Sequence, residues 1–125
     1  MSRDITVIIP VHKLNNELLA KAVNSVRECQ KFYKDGNLIL TVVAPFQIDD
    51  CGSMKGVNWI LNNSDDTTYC GQVNYAVQHI DTKYFSVLAF DDTYTEKWFK
   101  FFNDYLYGNE DVSAFLPLNI VTDVN

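Results

Sequence analysis

Apolar positions along this chain follow two rhythms, and the two alternate. Residues Ile5, Thr6, Val7, Ile8 and Ile9 form an unbroken run rich in β-branched side chains, closed by Pro10. A continuous run, in place of in–out alternation, predicts a strand covered on both faces, as in a parallel sheet. The rhythm then changes: Leu18, Leu19, Ala22, Val23, Val26, Cys29 and Phe32 recur at three- and four-residue spacing. That spacing predicts an amphipathic helix running through residue 34, with Asn15 or Asn16 as its cap and Asp35-Gly36-Asn37 as its stop. A second buried strand is expected over 38–43, closed by Ala44-Pro45, then a loop over 46–56 and a short third strand over 57–61. Residues 62–68 are polar and turn-like. Residues 69–80 read as a helix with Val73, Ala76, Val77 and Ile80 on one face. A fourth strand is expected over 84–90, an aromatic-rich helix over 94–107 and a last strand over 112–118.

Strands alternating with helices predict an α/β fold with a mostly parallel sheet flanked by helices and joined by right-handed crossovers. No repeat, low-complexity tract or linker divides the 125 residues, so residues 1–125 are expected to form one domain. The composition supports a real core, being 47% hydrophobic with eight Phe, seven Tyr and two Trp. A formal charge of −6 argues against nonspecific nucleic-acid binding, although a diphosphate ligand needs only a local site. Cys29, Cys51 and Cys70 are odd in number and irregularly spaced. They read as reduced thiols and not as a disulfide framework or a zinc site. The run 5–11 is too short for a signal sequence, and no stretch reaches a membrane-spanning length. A cytoplasmic protein is expected, or a component of a virion or another assembly.

In a parallel sheet, ligands sit beyond the carboxyl ends of the strands. The residues just past those ends are His12, Ala44 and the pair Asp91-Asp92. Two acids directly after a buried strand suit a hard divalent cation bridged to phosphate. The alternative is that Asp92 caps the helix that follows. The aromatics of 94–107 are expected mainly as a core face, with a sugar platform or an interface as the alternatives. No phosphate-cradling glycine loop and no Ser-His-Asp or Cys-His arrangement is present.

Several of these segments resemble one family. Ile5-Thr6-Val7-Ile8-Ile9-Pro10-Val11 is similar to the opening V-S-V-I-I-P-x-Y-N strand of family-2 glycosyltransferases, and Ala22-Val23-Asn24-Ser25-Val26 to their A-L-x-S-V segment. Asn74 aligns with the Asn of the A-R-N-x-G motif. Counting on without a gap, Tyr84-Phe85 falls on the E-Y-I strand and Asp91-Asp92 on the last acids of L-D-A-D-D. The resemblance implies a Rossmann-like GT-A fold that binds a nucleoside-diphosphate sugar, such as a UDP-sugar, with Mn²⁺ or Mg²⁺. It implies that Pro10, Val11, His12 and Asn74 shape the donor pocket and that Asp91, with Asp92, holds the metal. His12 stands where the family often has an aromatic side chain; it would stack on the base or stay solvated.

Departures are equally specific. Ala44 stands where the family's second strand ends in Asp, and Asp49-Asp50-Cys51-Gly52-Ser53 resembles a displaced D-D-G-S element. A loop excursion would be needed to return Asp49 or Asp50 to the pocket. Ala89 replaces the first acid of D-x-D, and Val73 replaces the Arg of A-R-N. Family members also continue well beyond this length, so the resemblance implies a truncated, nucleotide-binding half. The acceptor site and catalytic base would then lie in a missing C-terminal part or a partner chain. Three functions stand open: a metal-dependent glycosyltransferase; an inactive GT-A-like structural or interaction module, forming a homo-oligomer or joined to a partner chain; and a different nucleotide-binding α/β protein such as a nucleotidyltransferase. The third lacks the basic, glycine-rich loop that usually follows the first strand.

Overall fold

The first strand, β1 (Ile5–Pro10), is buried along its whole length. In a computed structural model that describes residues 3–13, 15–47 and 56–106, it lies inside a four-stranded sheet. The other strands are β2 (Leu38–Ala44), β3 (Asn58–Leu61) and β4 (Tyr84–Val87), in the order β3-β2-β1-β4. Every pairing is parallel. The helices are α1 (Asn16–Phe32), α2 (Tyr69–Val77) and α3 (Trp98–Leu106). This confirms the expected α/β class with a parallel sheet flanked by helices. The strand order is that of the central part of a doubly wound, Rossmann-like sheet. The strand expected over 112–118 lies outside the described residues.

Alternation along the strands divides the core in two. Ile5, Val7, Ile9 and Val11, with Leu40, Val42 and Ala44, face α1 and Phe99 of α3. Ile8 and Val43 face the other way and meet Ala76 of α2, with Ile60, Val77 and Ile80 around them. The α1 crossover leads from β1 to β2, whereas the α2 crossover leads back across the sheet to β4. Reversing direction while changing face keeps both crossovers of one hand, as the connection rule requires. Each fully buried Val or Ile side chain contributes about 1.5–3 kcal/mol through removal from water.

Local chemistry sets the element ends. Asn15 caps α1, its Oδ1 accepting from Leu18 N at 3.1 Å. The helix stops at Phe32, two residues before the expected end. Gln30 clamps the chain there: Nε2 donates to Tyr33 O at 3.0 Å and Gly36 O at 3.1 Å, while Oε1 accepts from Leu38 N at 2.7 Å. At Gly36 a β-carbon would collide with the Arg3 carbonyl, so the turn into β2 has no room for a side chain. α2 ends at Val77 and not residue 80, because the chain tightens, His79 N donating to Ala76 O at 2.9 Å.

β4 stops at Val87, three residues short of its expected end, and the cause lies in β1. Leu88 N still donates to Ile8 O at 2.9 Å. The next bond on that side would need an N–H from Pro10, and proline has none. On its other side β1 continues, with Val11 N donating to Val43 O at 2.9 Å. The two neighbouring strands therefore part at their carboxyl ends. Among the described residues no helix is long and apolar enough to cross a membrane.

Candidate functional site

The parting of β1 from β4 falls where the chain's crossovers diverge to opposite faces. This is the crevice in which doubly wound sheets bind ligands. Three segments border it: the turn after β1, the loop after β4 and the first turn of α2. The His12 ring meets the Phe90 ring edge-on, centroids 5.3 Å apart, joining the first two segments. Gln72 of α2 joins the third, its Nε2 donating to Val11 O at 3.1 Å. Tyr69 opens α2 and lies within electrostatic reach of Asp92. Burial first, then the Asp92 carboxylate and Cys70, push its phenol above the ordinary tyrosine value.

The loop after β4 is held by its far end. Asp92 N donates to Ala89 O at 3.0 Å, closing a turn that leaves Asp91 and Asp92 exposed. Tyr94 then re-enters the protein. Its hydroxyl bonds Ser86 Oγ, its N–H donates to Ser25 Oγ on α1 at 3.2 Å, and its ring packs edge-on against Phe99 at 5.0 Å. Burial, offset in part by the Ser86 bond, raises its pKa to about 12. Cys29 Sγ donates to Thr95 O at 3.2 Å, a second tie to α1. These anchors hold residues 94–97 outside the helix, so α3 begins at Trp98 and not at 94. Asp92 is therefore not the α3 cap, which removes that alternative for the pair.

The sequence-predicted residues are only partly brought together. Pro10 and Val11 are buried, and His12 is exposed at the crevice with Phe90. Asp91 and Asp92 lie on the same crevice loop. Asn74 is exposed on α2, two residues beyond Gln72, and its carbonyl accepts from Gln78 N at 3.4 Å. Asp49 and Asp50 lie outside the described residues. Ala44, which the resemblance sets at an Asp position, is buried on the α1-facing side. Among the described residues no group of three or more His, Cys, Asp or Glu side chains is placed to hold a metal. Asp91 and Asp92 make a set of two.

Phe90, Tyr69 and Gln72 are the crevice residues that sequence reasoning missed. Phe90 could have been found from its place at the end of the expected fourth strand, next to Asp91. Gln72 carries no such signal, because a polar residue between Gly71 and Val73 reads as solvent-facing. A cavity of about 310 Å³ lies elsewhere, lined by Tyr33, Lys34, Asp35, Lys100 and Asn103 among others. It sits at the opposite edge of the sheet, where Arg3 Nη1 donates to Asn103 Oδ1 at 2.8 Å and Asn103 Nδ2 to Asp35 Oδ2 at 2.5 Å. None of the predicted site residues lines it. Its polar groups largely engage one another, Lys100 pairing with Asp104 at 2.9 Å. The switch-point crevice is the better candidate on topology and chemistry. No protein-family model and no curated protein matches this chain, so the crevice's chemistry stands on its own residues.

Proposed function

We propose that this chain is a GT-A-like domain that binds a nucleoside-diphosphate sugar at the carboxyl edge of its sheet, with a divalent cation, for glycosyl transfer. The observation that carries this reading is the His12–Phe90 contact. It brings the turn after β1 and the acid-bearing loop after β4 to one crevice at the topological switch point. A ring pair in the crevice suits a planar base, and the two exposed carboxylates on the same loop as Phe90 suit a cation bridging phosphates.

Asp91 and Asp92 fit Mg²⁺ or Mn²⁺ in a restricted sense. Such ions commonly take one or two carboxylates and complete their shell with substrate phosphates and water. Two acids therefore support a cation that arrives with its diphosphate, and not one held in advance. Bound there, the metal would supply Lewis-acid stabilisation of the departing diphosphate. The chain's own residues do the rest: His12 and Phe90 offer the base a ring surface, buried Val11 sets the turn that carries His12, and the Tyr94 anchors keep the acid loop against the crevice.

A second reading is an inactive GT-A-like module used for binding or assembly. Ala44, buried where a nucleotide-contacting acid would be needed, favours it. Calorimetric titration of UDP and GDP, with and without Mn²⁺, separates the two. The transferase reading expects binding that tightens at least tenfold with Mn²⁺ and is lost in Asp91→Ala, with Mn²⁺ alone binding weakly. A folded sample that binds neither nucleotide under any condition would rule it out and leave the module.

A further inference from the structure

Gln72 is completely buried, although it is polar and sits in the first turn of a helix whose neighbouring positions Tyr69, Cys70 and Asn74 are exposed. Its amide spans 61 residues of sequence to reach Val11 O. Val11 is the last buried residue before His12. Its N–H is held by Val43 O on β2 and its carbonyl by Gln72 on α2. The chain is thus pinned through both backbone polar groups of Val11, one residue before the ring that meets Phe90.

The other half of the same amide is unmatched. Gln72 Oε1 is buried with no hydrogen-bond partner among the described residues. Rotating the amide gives no relief, since that would set oxygen against the Val11 carbonyl. A buried acceptor without a partner is destabilising, and an apolar side chain of similar length would avoid it. An apolar side chain would, however, leave the Val11 carbonyl without its donor, so the two effects on stability oppose each other and the amide's distinctive contribution is its hold on Val11 O.

We propose that Gln72 is a positioning residue: it fixes the turn after β1 and so sets His12 against Phe90 in the crevice. Its consequence for ligand affinity rests on the proposed donor site; its effect on the His12–Phe90 geometry does not. The closing experiment uses the full chain and Gln72→Met, which keeps length and removes both polar atoms. Three quantities are read: the thermal midpoint, the nuclear Overhauser contact between the His12 and Phe90 rings, and affinity for UDP with Mn²⁺. The expected result is a folded protein whose midpoint falls only modestly, because relief of Oε1 offsets part of the loss at Val11 O, together with loss of the ring contact and at least a tenfold fall in affinity. A retained ring contact in Gln72→Met overturns the proposal, whether or not the midpoint falls, because the amide then serves only packing. If the parent itself binds no nucleotide, the donor-site reading fails while the ring contact still decides this one. Should Gln72→Met not fold, the unmodified protein gives the answer. The Gln72 side-chain amide protons must show slowed solvent exchange and a scalar coupling across the bond to the Val11 carbonyl. Exchange as fast as that of a free glutamine overturns the proposal.

Discussion

Tyr94→Phe removes one oxygen from the anchor of the acid loop, and its effect should depend on pH in a calculable way. The hydroxyl bonds Ser86 Oγ and lies 3.3 Å from Val87 O, to which it can donate when Ser86 supplies the proton of the other bond. Ring contacts to Phe99 and Trp98 survive the substitution. Losing a partly buried hydrogen bond of this kind costs about 1–2 kcal/mol at neutral pH.

The same hydroxyl also titrates. Burial raises the Tyr94 pKa from 10.0 to about 12, so the folded state retains a proton that the unfolded chain releases. Its contribution is fully present below pH 10 and is lost as pH rises through 12. At about pH 11 an unfolded tyrosine is tenfold ionised while the folded one is still mostly neutral, which removes about 1.4 kcal/mol of stability from the parent alone. Phenylalanine has no such proton. The parent's advantage over Tyr94→Phe should therefore shrink by roughly that amount between neutral pH and about pH 11. Urea unfolding followed by far-ultraviolet circular dichroism measures it, since Trp98 fluorescence would respond to the substitution itself. A gap independent of pH, or a variant as stable as the parent at neutral pH, would refute the burial of this hydroxyl and the anchoring assigned to it.

Cys29 is wholly buried, its thiol pushed to about 11 by burial first and by Glu96 second, whereas Cys70 is exposed. Raised from 9.0, it carries about a hundredfold less thiolate at neutral pH than an ordinary cysteine. Iodoacetamide with peptide mapping should modify Cys70 in the native protein and Cys29 only with denaturant; equal native labelling of both would contradict the packing of α1 against residues 94–97. The two alanines that the resemblance sets at acid positions should also behave differently. Ala44→Asp buries an unpaired carboxylate among Val42, Ile9 and α1 and should lower the thermal midpoint sharply or prevent folding. Ala89→Asp, on the half-exposed turn beside Asp91, should fold normally and tighten Mn²⁺ binding in the presence of UDP. An Ala44→Asp protein as stable as the parent would show that this strand end is open to solvent.

Much of the fold was legible because burial on two faces leaves a plain trace in sequence. The run Ile5 to Ile9 announces a central parallel strand, and the spacing from Leu18 to Phe32 announces a helix with one core face. The helix ends at Phe32 and Val77 are set by local contacts, but at β4 and α3 the deciding contact lies far away in sequence. The early end of β4 follows from Pro10, which lacks a donor 78 residues before Leu88. The late start of α3 follows from Ser25 and Cys29, which hold Tyr94 and Thr95 out of the helix. The Ser of the segment resembling A-L-x-S-V thereby finds a local role: its Oγ donates to Ala22 O at 2.7 Å and accepts from Tyr94 N. Periodicity sees none of this, because it counts apolar positions and is blind to which polar atom meets which.

The candidate site was legible in outline for a related reason and illegible in detail for another. A parallel sheet fixes where ligands go, so residues just past strand ends are candidates from sequence alone, and His12, Asp91 and Asp92 were found that way. What fixes their relative placement is invisible at that level. Pro10 matters to the crevice by withholding an N–H, and Gln72 by spending half of a buried amide on one carbonyl. Neither belongs to a residue type that signals chemistry, and neither contacts the exposed acids. Yet the first opens the gap between β1 and β4, and the second decides where the turn beside that gap lies. Strand ends supply the reactive groups of such a crevice. The geometry between them comes from backbone hydrogen bonds that are missing or borrowed, and these can be assigned only once the strand order is known.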